Sequence, residues 1–134
     1  MYVLTHPITT STLLAIKTNT VSLLLRIEAA CVLAASLGLF CKFHGSWGWF
    51  AILFLLPDLS MVGYLANPRL GSICYNLVHT YFAPAVGVGL IWWMTGQIPS
   101  PLWLIWPAHI AFDRMLGYGL KFPDAFRHTH LSIG

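Results

Sequence analysis

The sequence predicts an all-α fold, namely an integral membrane four-helix bundle with short connections and both termini on the same side. Of its 134 residues, 57% are hydrophobic and only 8% are charged, whereas a soluble domain carries about 25% charged residues. Four windows are apolar over about 20 residues, the length of a helix that crosses a bilayer. This composition argues against a soluble enzyme and excludes a disordered chain.

The predicted spans cover about residues 21–40, 47–66, 73–94 and 101–120. The segments between them are short and rich in Gly, Pro, Ser or Asn, which favour turns. They read KFHGS, NPRLGS and TGQIPS. Because such short turns join neighbouring helices, consecutive spans run antiparallel, and we expect a single domain over residues 1–134.

Basic residues predict the orientation of the bundle. The side that holds both termini and the NPRLGS turn carries most of them, namely Lys17, Arg69, Lys121 and Arg127. The opposite side carries Lys42 alone. Since Lys and Arg concentrate in cytoplasmic loops, both termini are expected to be cytoplasmic.

The seven Lys and Arg residues of the chain occur singly, without a basic run or stripe. A protein that binds nucleic acid concentrates such charges on one face. We therefore expect no nucleic-acid partner, although the formal net charge is +3. The expected partners are membrane lipids and, in one interpretation, further copies of the chain in a homo-oligomer.

Each predicted span contains polar residues that hydrocarbon disfavours. They are Arg26 and Glu28 in the first span, Asp58 in the second, Asn76 and His79 in the third, and His109, Asp113 and Arg114 in the fourth. Ionisable groups inside a membrane are costly and by default indicate a functional site. These residues are therefore the candidates for such a site.

Four of these polar residues lie at similar depths in their predicted spans. Counted from the side of the termini, they lie six to eight residues inside the spans, and they are Glu28, Asp58, His79 and Asp113. A helical rise of about 1.5 Å per residue places this layer roughly 9 to 12 Å deep. His109 and Asp113 are four residues apart and share a helix face, as do Asn76 and His79 at a spacing of three.

Imidazole and carboxylate groups that converge on one point are typical ligands of zinc, iron or manganese. We predict that His79, His109 and Asp113 hold one divalent metal ion, which would lower the pKa of its bound water. The alternative is acid–base chemistry at the same side chains without a metal.

The remaining charged residues of the layer are assigned to catalysis and substrate binding. Asp58 or Glu28 would be the general base, and Arg114 or Arg26 would hold a phosphate or carboxylate headgroup. In a purely structural alternative, these polar residues would pair with one another, for example Glu28 with Arg114 or Asp58 with Arg26, and would fix the helix packing.

Two further features lie near this layer. Pro57 directly precedes Asp58, so a kink there would open the bundle beside the layer or would only shape its packing. After the fourth span, His128 and His130 lie in a tail on the same side as the layer. His130, like Asn76, could join the network, but a solvated tail is the favoured interpretation.

Four stretches of the chain carry a family resemblance, namely LPDLSMVGYL (56–65), YNLVHTY (75–81), AHIAFDRMLGYGLKF (108–122) and THLSIG (129–134). They resemble a family of small integral membrane proteins known as domain of unknown function 4260. The resemblance implies that the family's motif positions correspond in this chain to Glu28, Asp58, Asn76, His79, His109, Asp113, Arg114 and His130. The tail of the family usually reads THLG followed by a basic residue, and Ser132 departs from that pattern. The resemblance implies no particular activity.

Three functions are consistent with these features. The preferred one is a metal-dependent hydrolase-like enzyme acting on a lipid-like substrate. A weaker likeness supports it, because LPD followed later by TH resembles bacterial inner-membrane proteins regarded as metal-dependent hydrolases. The alternatives are a transporter of protons, ions or small molecules, which would require an oligomer, and a structural or partner-binding membrane module.

Overall fold

The computed structural model describes residues 10–124, 129 and 131, with side chains from residue 20 onward. These residues form five α-helices, namely α1 (Thr10–Lys42), α2 (Trp47–Leu53), α3 (Pro68–Val78), α4 (Phe82–Thr95) and α5 (Ile105–Leu116). Two 3₁₀ helices, here the first and the second, cover Leu56–Leu65 and Pro101–Leu104. No strand occurs among the described residues, which confirms the all-α class. An isolated antiparallel bridge joins Lys121 to Thr129.

Two helical segments are long and apolar enough to cross a membrane, namely Thr20–Lys42 and Trp47–Leu65. A third exists if α3 and α4, which meet at an angle of 51°, form one bent span. Only 17% of the first apolar window and 6% of the second are buried inside the molecule. Since a water-soluble monomer rarely exposes large apolar patches, these surfaces suit lipid. The bundle of four spans and the side of the termini stay predictions.

The segment predicted as the fourth span, residues 101–120, contains the second 3₁₀ helix and α5. α5 has 12 residues and so extends about 18 Å, less than the roughly 30 Å of the hydrocarbon core. It ends because Gly117 adopts the left-handed conformation with φ 98°, which suits a glycine at a helix end. Within the part of the chain described, α5 is the most buried helix, and its inner residues are Ile105, Ala108, His109, Ile110 and Ala111.

Two candidate site residues lie where regular helix breaks. The chain changes from α to 3₁₀ geometry just before Asp58, whose N–H donates to the Leu55 carbonyl at 3.2 Å. A 3₁₀ helix of ten residues is unusually long, and such stretches often accompany functional sites. His79 is the residue that ends α3, before the bend into α4. The helix geometry therefore changes beside Pro57, while Trp47–Leu65 still counts as one continuous candidate span.

Close packing brings these breaks together. The first 3₁₀ helix packs on α3, and α1 packs along α5. A Cβ atom on Gly63 would lie 3.2 Å from the Cα of Gly71, and one on Gly71 would collide with the Tyr64 ring. The two glycines therefore allow the first 3₁₀ helix to pack closely against α3, which places Asp58 near His79.

Candidate metal centre

Four side chains from three parts of the chain converge on one point. They are Asp58 of the first 3₁₀ helix, His79 at the end of α3, and His109 and Asp113 of α5, and we call them the Asp/His cluster. One donor atom of each lies within 4.8 Å of the other three. The structure thus brings together the three predicted metal ligands and one of the two predicted bases.

The distances between these donor atoms are similar. The Nε2 atoms of His79 and His109 are 3.1 Å apart. The Asp58 Oδ1 atom lies 3.5 Å from each Nε2, and the Asp113 Oδ2 atom lies 3.7 Å from each. Each of these carboxylate oxygens therefore lies within 3.7 Å of both imidazole nitrogens.

Tyr75 orients His79. The Nδ1–H of His79 donates to the Tyr75 carbonyl oxygen one turn earlier, at 3.0 Å, and the Tyr75 ring stacks on the imidazole with centroids 3.7 Å apart. A neutral imidazole with its proton on Nδ1 carries its lone pair on Nε2. The His79 lone pair is therefore aimed into the Asp/His cluster.

His109 is held by apolar packing. Its side chain is buried, and the Phe54 ring meets the imidazole edge to face at 5.2 Å. Its Nδ1 atom is buried and has no hydrogen-bond partner among the described residues. The polar contacts of this ring are thus made through Nε2.

The two carboxylates differ in their surroundings. Asp113 accepts a hydrogen bond from the Tyr75 hydroxyl at 3.1 Å, and its side chain is 17% exposed, against 30% for Asp58. Asp58 therefore lies on the more open side of the cluster, and Asp113 is the more firmly held of the two.

The spacing around the two imidazole nitrogens resembles that of a metal site. Ligand atoms about 2.1 Å from a tetrahedral ion lie about 3.4 Å from one another. The separations that involve an imidazole nitrogen range from 3.1 to 3.7 Å, and the two carboxylate oxygens lie within 4.8 Å of each other. Two imidazole nitrogens and two carboxylate oxygens are also ligand types that zinc, iron and manganese accept. The Asp/His cluster could therefore hold one divalent metal ion.

Asn76 has a different role from the imidazoles. Its side-chain amide donates to the Lys121 carbonyl at 2.8 Å, and its Oδ1 atom accepts from the Lys121 N–H at 2.7 Å. Asn76 therefore fastens the segment after α5 against α3. It supports the site from outside the Asp/His cluster.

Tyr75 was not assigned to the site from the sequence, and Lys121 was interpreted only as a topology charge. Lys121 is buried, and its ammonium lies 4.3 Å from the centre of the Tyr75 ring. Burial lowers the pKa of this ammonium, against the opposing effect of Asp113. The only available signal for Tyr75 was its spacing of four residues before His79, which puts both on one helix face.

The structure places Arg26, Glu28 and Arg114 outside the Asp/His cluster. Glu28 is exposed and lines, with Arg114, a separate cavity of about 100 Å³. Arg114 donates from Nη2 to the His79 carbonyl at 3.5 Å. Among the described residues no ion pair joins Glu28 to Arg114 or Asp58 to Arg26, so the pairs of the structural alternative are not formed.

The tail returns to the neighbourhood of the site. Thr129 and Leu131 are buried, Thr129 through its bridge to Lys121. The expectation of a solvated tail is therefore wrong at these two residues. His128 and His130 lie outside the described residues.

These features define a class of protein: an all-helical chain with two or three helices able to cross a membrane and a buried Asp/His cluster suited to a metal. The chain belongs to the family described as domain of unknown function DUF4260, whose sequence profile matches residues 22–133. The resemblance seen in the sequence is thereby confirmed. No match was found among curated proteins or among solved structures.

Proposed function

We propose that this protein is a multi-pass membrane enzyme that binds a divalent metal ion and hydrolyses a lipid-like substrate. The observation that carries the proposal is the convergence of the His79 and His109 Nε2 atoms, 3.1 Å apart, with two carboxylate oxygens that lie 3.5 and 3.7 Å from each nitrogen. Zinc, iron and manganese are the candidate ions.

Charge supports a cation at this point. With both imidazoles neutral, the Asp/His cluster carries two carboxylates, and ionised groups are costly in an apolar environment. One divalent cation would balance both charges at close range. The Nε2 lone pair of His79 is already directed at the position that such a cation would occupy.

Each residue of the cluster has a separate task in the proposed reaction. A bound metal ion supplies Lewis acidity and a water of lowered pKa. His79, His109 and Asp113 hold the ion, and Tyr75 fixes both His79 and Asp113 through its carbonyl and hydroxyl groups. Because a catalytic site needs an open position, Asp58, the more exposed carboxylate, is the general base that accepts the water proton.

Hydrolysis of an ester at this site balances without any further reactant. The water oxygen bonds to the acyl carbon or phosphorus, the ester C–O or P–O bond breaks, and a proton passes to the leaving alcohol. Glu28, the other predicted base, lies outside the Asp/His cluster, so the proposal assigns it no part in proton transfer.

Elemental analysis of detergent-purified protein, never exposed to nickel resin or chelator, tests the metal site. We expect near-stoichiometric zinc, iron or manganese, its loss in His109→Ala and Asp113→Asn, and its retention in His44→Asn, since His44 is exposed and is not a member of the cluster. Folded wild-type protein without metal, or unchanged metal in His109→Ala, would refute the site.

A second measurement separates binding from catalysis. Asp58→Asn should retain the metal, while hydrolysis of a chromogenic fatty-acyl ester falls about 10²- to 10⁴-fold, the usual contribution of a general base. Hydrolysis by Asp58→Asn at the wild-type rate would contradict the role of Asp58. Hydrolysis that survives complete removal of the metal would contradict the metal mechanism.

A further inference from the structure

We propose that the substrate is an amphiphile with one acyl chain and an anionic headgroup, the chain lying in an apolar cavity on one side of the Asp/His cluster and the headgroup beside Arg114 on the other. This inference rests on the proposed function, because the same cluster would perform the reaction. It adds the class and the orientation of the substrate.

The apolar cavity has a volume of about 390 Å³ and lies among α2, the two 3₁₀ helices and the start of α5. Its lining includes Leu53, Leu56, Pro57, Val78, Trp103 and Trp106. None of the described residues that line it is charged. The volume is near the lower limit of the roughly 300 to 1,000 Å³ of small-molecule sites, which suits a single chain.

This cavity borders the Asp/His cluster. Pro57 directly precedes Asp58, and Val78 directly precedes His79 in the chain. The Nε1–H of Trp106 donates to the Val78 carbonyl at 2.9 Å, which fixes one wall of the cavity. A chain that fills the cavity would therefore end at the cluster.

Cationic side chains lie near the C-terminal end of α5, whereas the apolar cavity lies near its start. Arg114 follows Asp113 directly, and its guanidinium lies 4.4 Å from the centre of the Tyr81 ring. It lines the second cavity, of about 100 Å³, with Glu28 as the only other charged residue of its described lining. Among the described residues Arg114 has no carboxylate within 4 Å.

Arg26 adds a second positive charge at the same end of α5. A Cβ atom on Gly117 would lie only 2.5 Å from the Arg26 Nη2 atom. The absence of a side chain at Gly117 therefore leaves room for the guanidinium. The Arg26 Nε atom is buried without a hydrogen-bond partner in the described part of the chain. Arg26 lies beside Gly117, while the described lining of the second cavity itself holds Arg114 and Glu28. Guanidinium groups are well suited to phosphate or carboxylate.

The three regions are arranged in order along α5. Ile105 lines the apolar cavity, His109 belongs to the Asp/His cluster, and Arg114 lines the second cavity. At about 1.5 Å per residue these positions are about 6 and 7.5 Å apart. A lipid has the same spatial order of acyl chain, ester linkage and headgroup, so the ester linkage would lie at the Asp/His cluster.

Photolabelling of the full chain tests this orientation. The probe is dodecyl phosphonate with a diazirine at the end of the chain, which contains no hydrolysable ester. It is applied to detergent-purified protein after chelation, so that labelling reports binding and requires neither metal nor turnover. We expect cross-links in residues 53–57 and 102–106, with competition by unlabelled dodecyl phosphonate and much weaker competition by dodecanol.

Matched variants test the two ends separately. Val78→Trp, which fills the cavity, should abolish this labelling, whereas Leu77→Trp should not, because Leu77 is exposed on the same helix. Leu102→Trp is a second filling variant in case Val78→Trp does not fold. Arg114→Gln should weaken competition by dodecyl phosphonate about tenfold, while Arg69→Gln, an exposed site on α3, should not.

The outcomes separate this inference from the proposed function. Labelling spread over the exposed faces of α1, or unchanged in both cavity-filling variants, would overturn the inference even if the protein contains stoichiometric metal. Equal competition in Arg114→Gln and wild type would also overturn it. Cavity labelling with the expected variant effects would support the amphiphile site, and absence of metal from folded protein analysed before chelation would then refute the metal function alone.

Discussion

The Nε2 atoms of His79 and His109 lie 3.1 Å apart, although 30 positions separate the two residues in the chain. Two imidazole nitrogens at this distance either share one proton in a hydrogen bond or both direct lone pairs at a cation. Since His79 carries its proton on Nδ1 in its bond to Tyr75, only His109 can supply a shared proton when both rings are neutral. Metal binding at the cluster would displace that proton.

Metal should therefore stabilise the folded protein. A ligand that binds only the folded state at 100 times its Kd adds about 2.7 kcal/mol to the free energy of unfolding. We expect zinc to raise the Tm of metal-stripped protein in detergent, and Asp113→Asn to lose that rise. Glu28→Gln should keep it, because Glu28 lies outside the Asp/His cluster. An equal rise in Asp113→Asn would contradict the assignment.

Tyr75→Phe should weaken metal binding without removing a ligand. The Tyr75 hydroxyl donates to Asp113 at 3.1 Å, and loss of such an outer partner typically costs about 10- to 100-fold in metal affinity. Competition with a chromogenic zinc chelator measures this affinity. The control is Tyr118→Phe, because Tyr118 is exposed. Identical affinities for the two variants would show that Asp113 needs no support.

Asn76→Ala should loosen the segment that follows α5. It removes both hydrogen bonds to the Lys121 backbone, together about 1 to 3 kcal/mol. We expect a lower free energy of unfolding and faster hydrogen exchange at the Lys121 amide. Gln97→Ala, at an exposed position, is the control. Unchanged exchange at Lys121 would mean that other contacts hold the segment.

Gly71→Ala should separate the first 3₁₀ helix from α3. The added methyl group would collide with Tyr64, and overpacking of this kind costs about 1 to 3 kcal/mol. Since this contact positions Asp58 near His79, metal affinity should fall with stability. Gly38→Ala is the matched control on α1, where a Cβ meets nothing within 4 Å, and it should stabilise the helix by up to about 1 kcal/mol. Equal Tm values for the two variants would contradict this interpretation.

The membrane character and the centre of the site could be predicted from the sequence. A chain with 8% charged residues cannot cover itself with polar surface, and its apolar windows of about 20 residues have the length of membrane-spanning helices. The spacing of four residues between His109 and Asp113 puts both on one face of any helix. Depth counting then added Asp58 and His79, because a helix converts residue number directly into distance.

Depth alone could not distinguish Asp58 from Glu28, which the sequence places at the same level. That choice depends on how each helix is rotated about its axis, and rotation is decided by contacts between distant segments, such as the packing of Gly71 against Gly63. Tyr75 and Lys121 could not be assigned to the site for the same reason, since Lys121 reaches the site through Asn76, 45 residues earlier. The sequence by itself determined an apolar helical chain with ionisable residues at one depth. Only the tertiary structure decided which of them meet, because side chains on different helices converge through long-range packing that local periodicity does not encode.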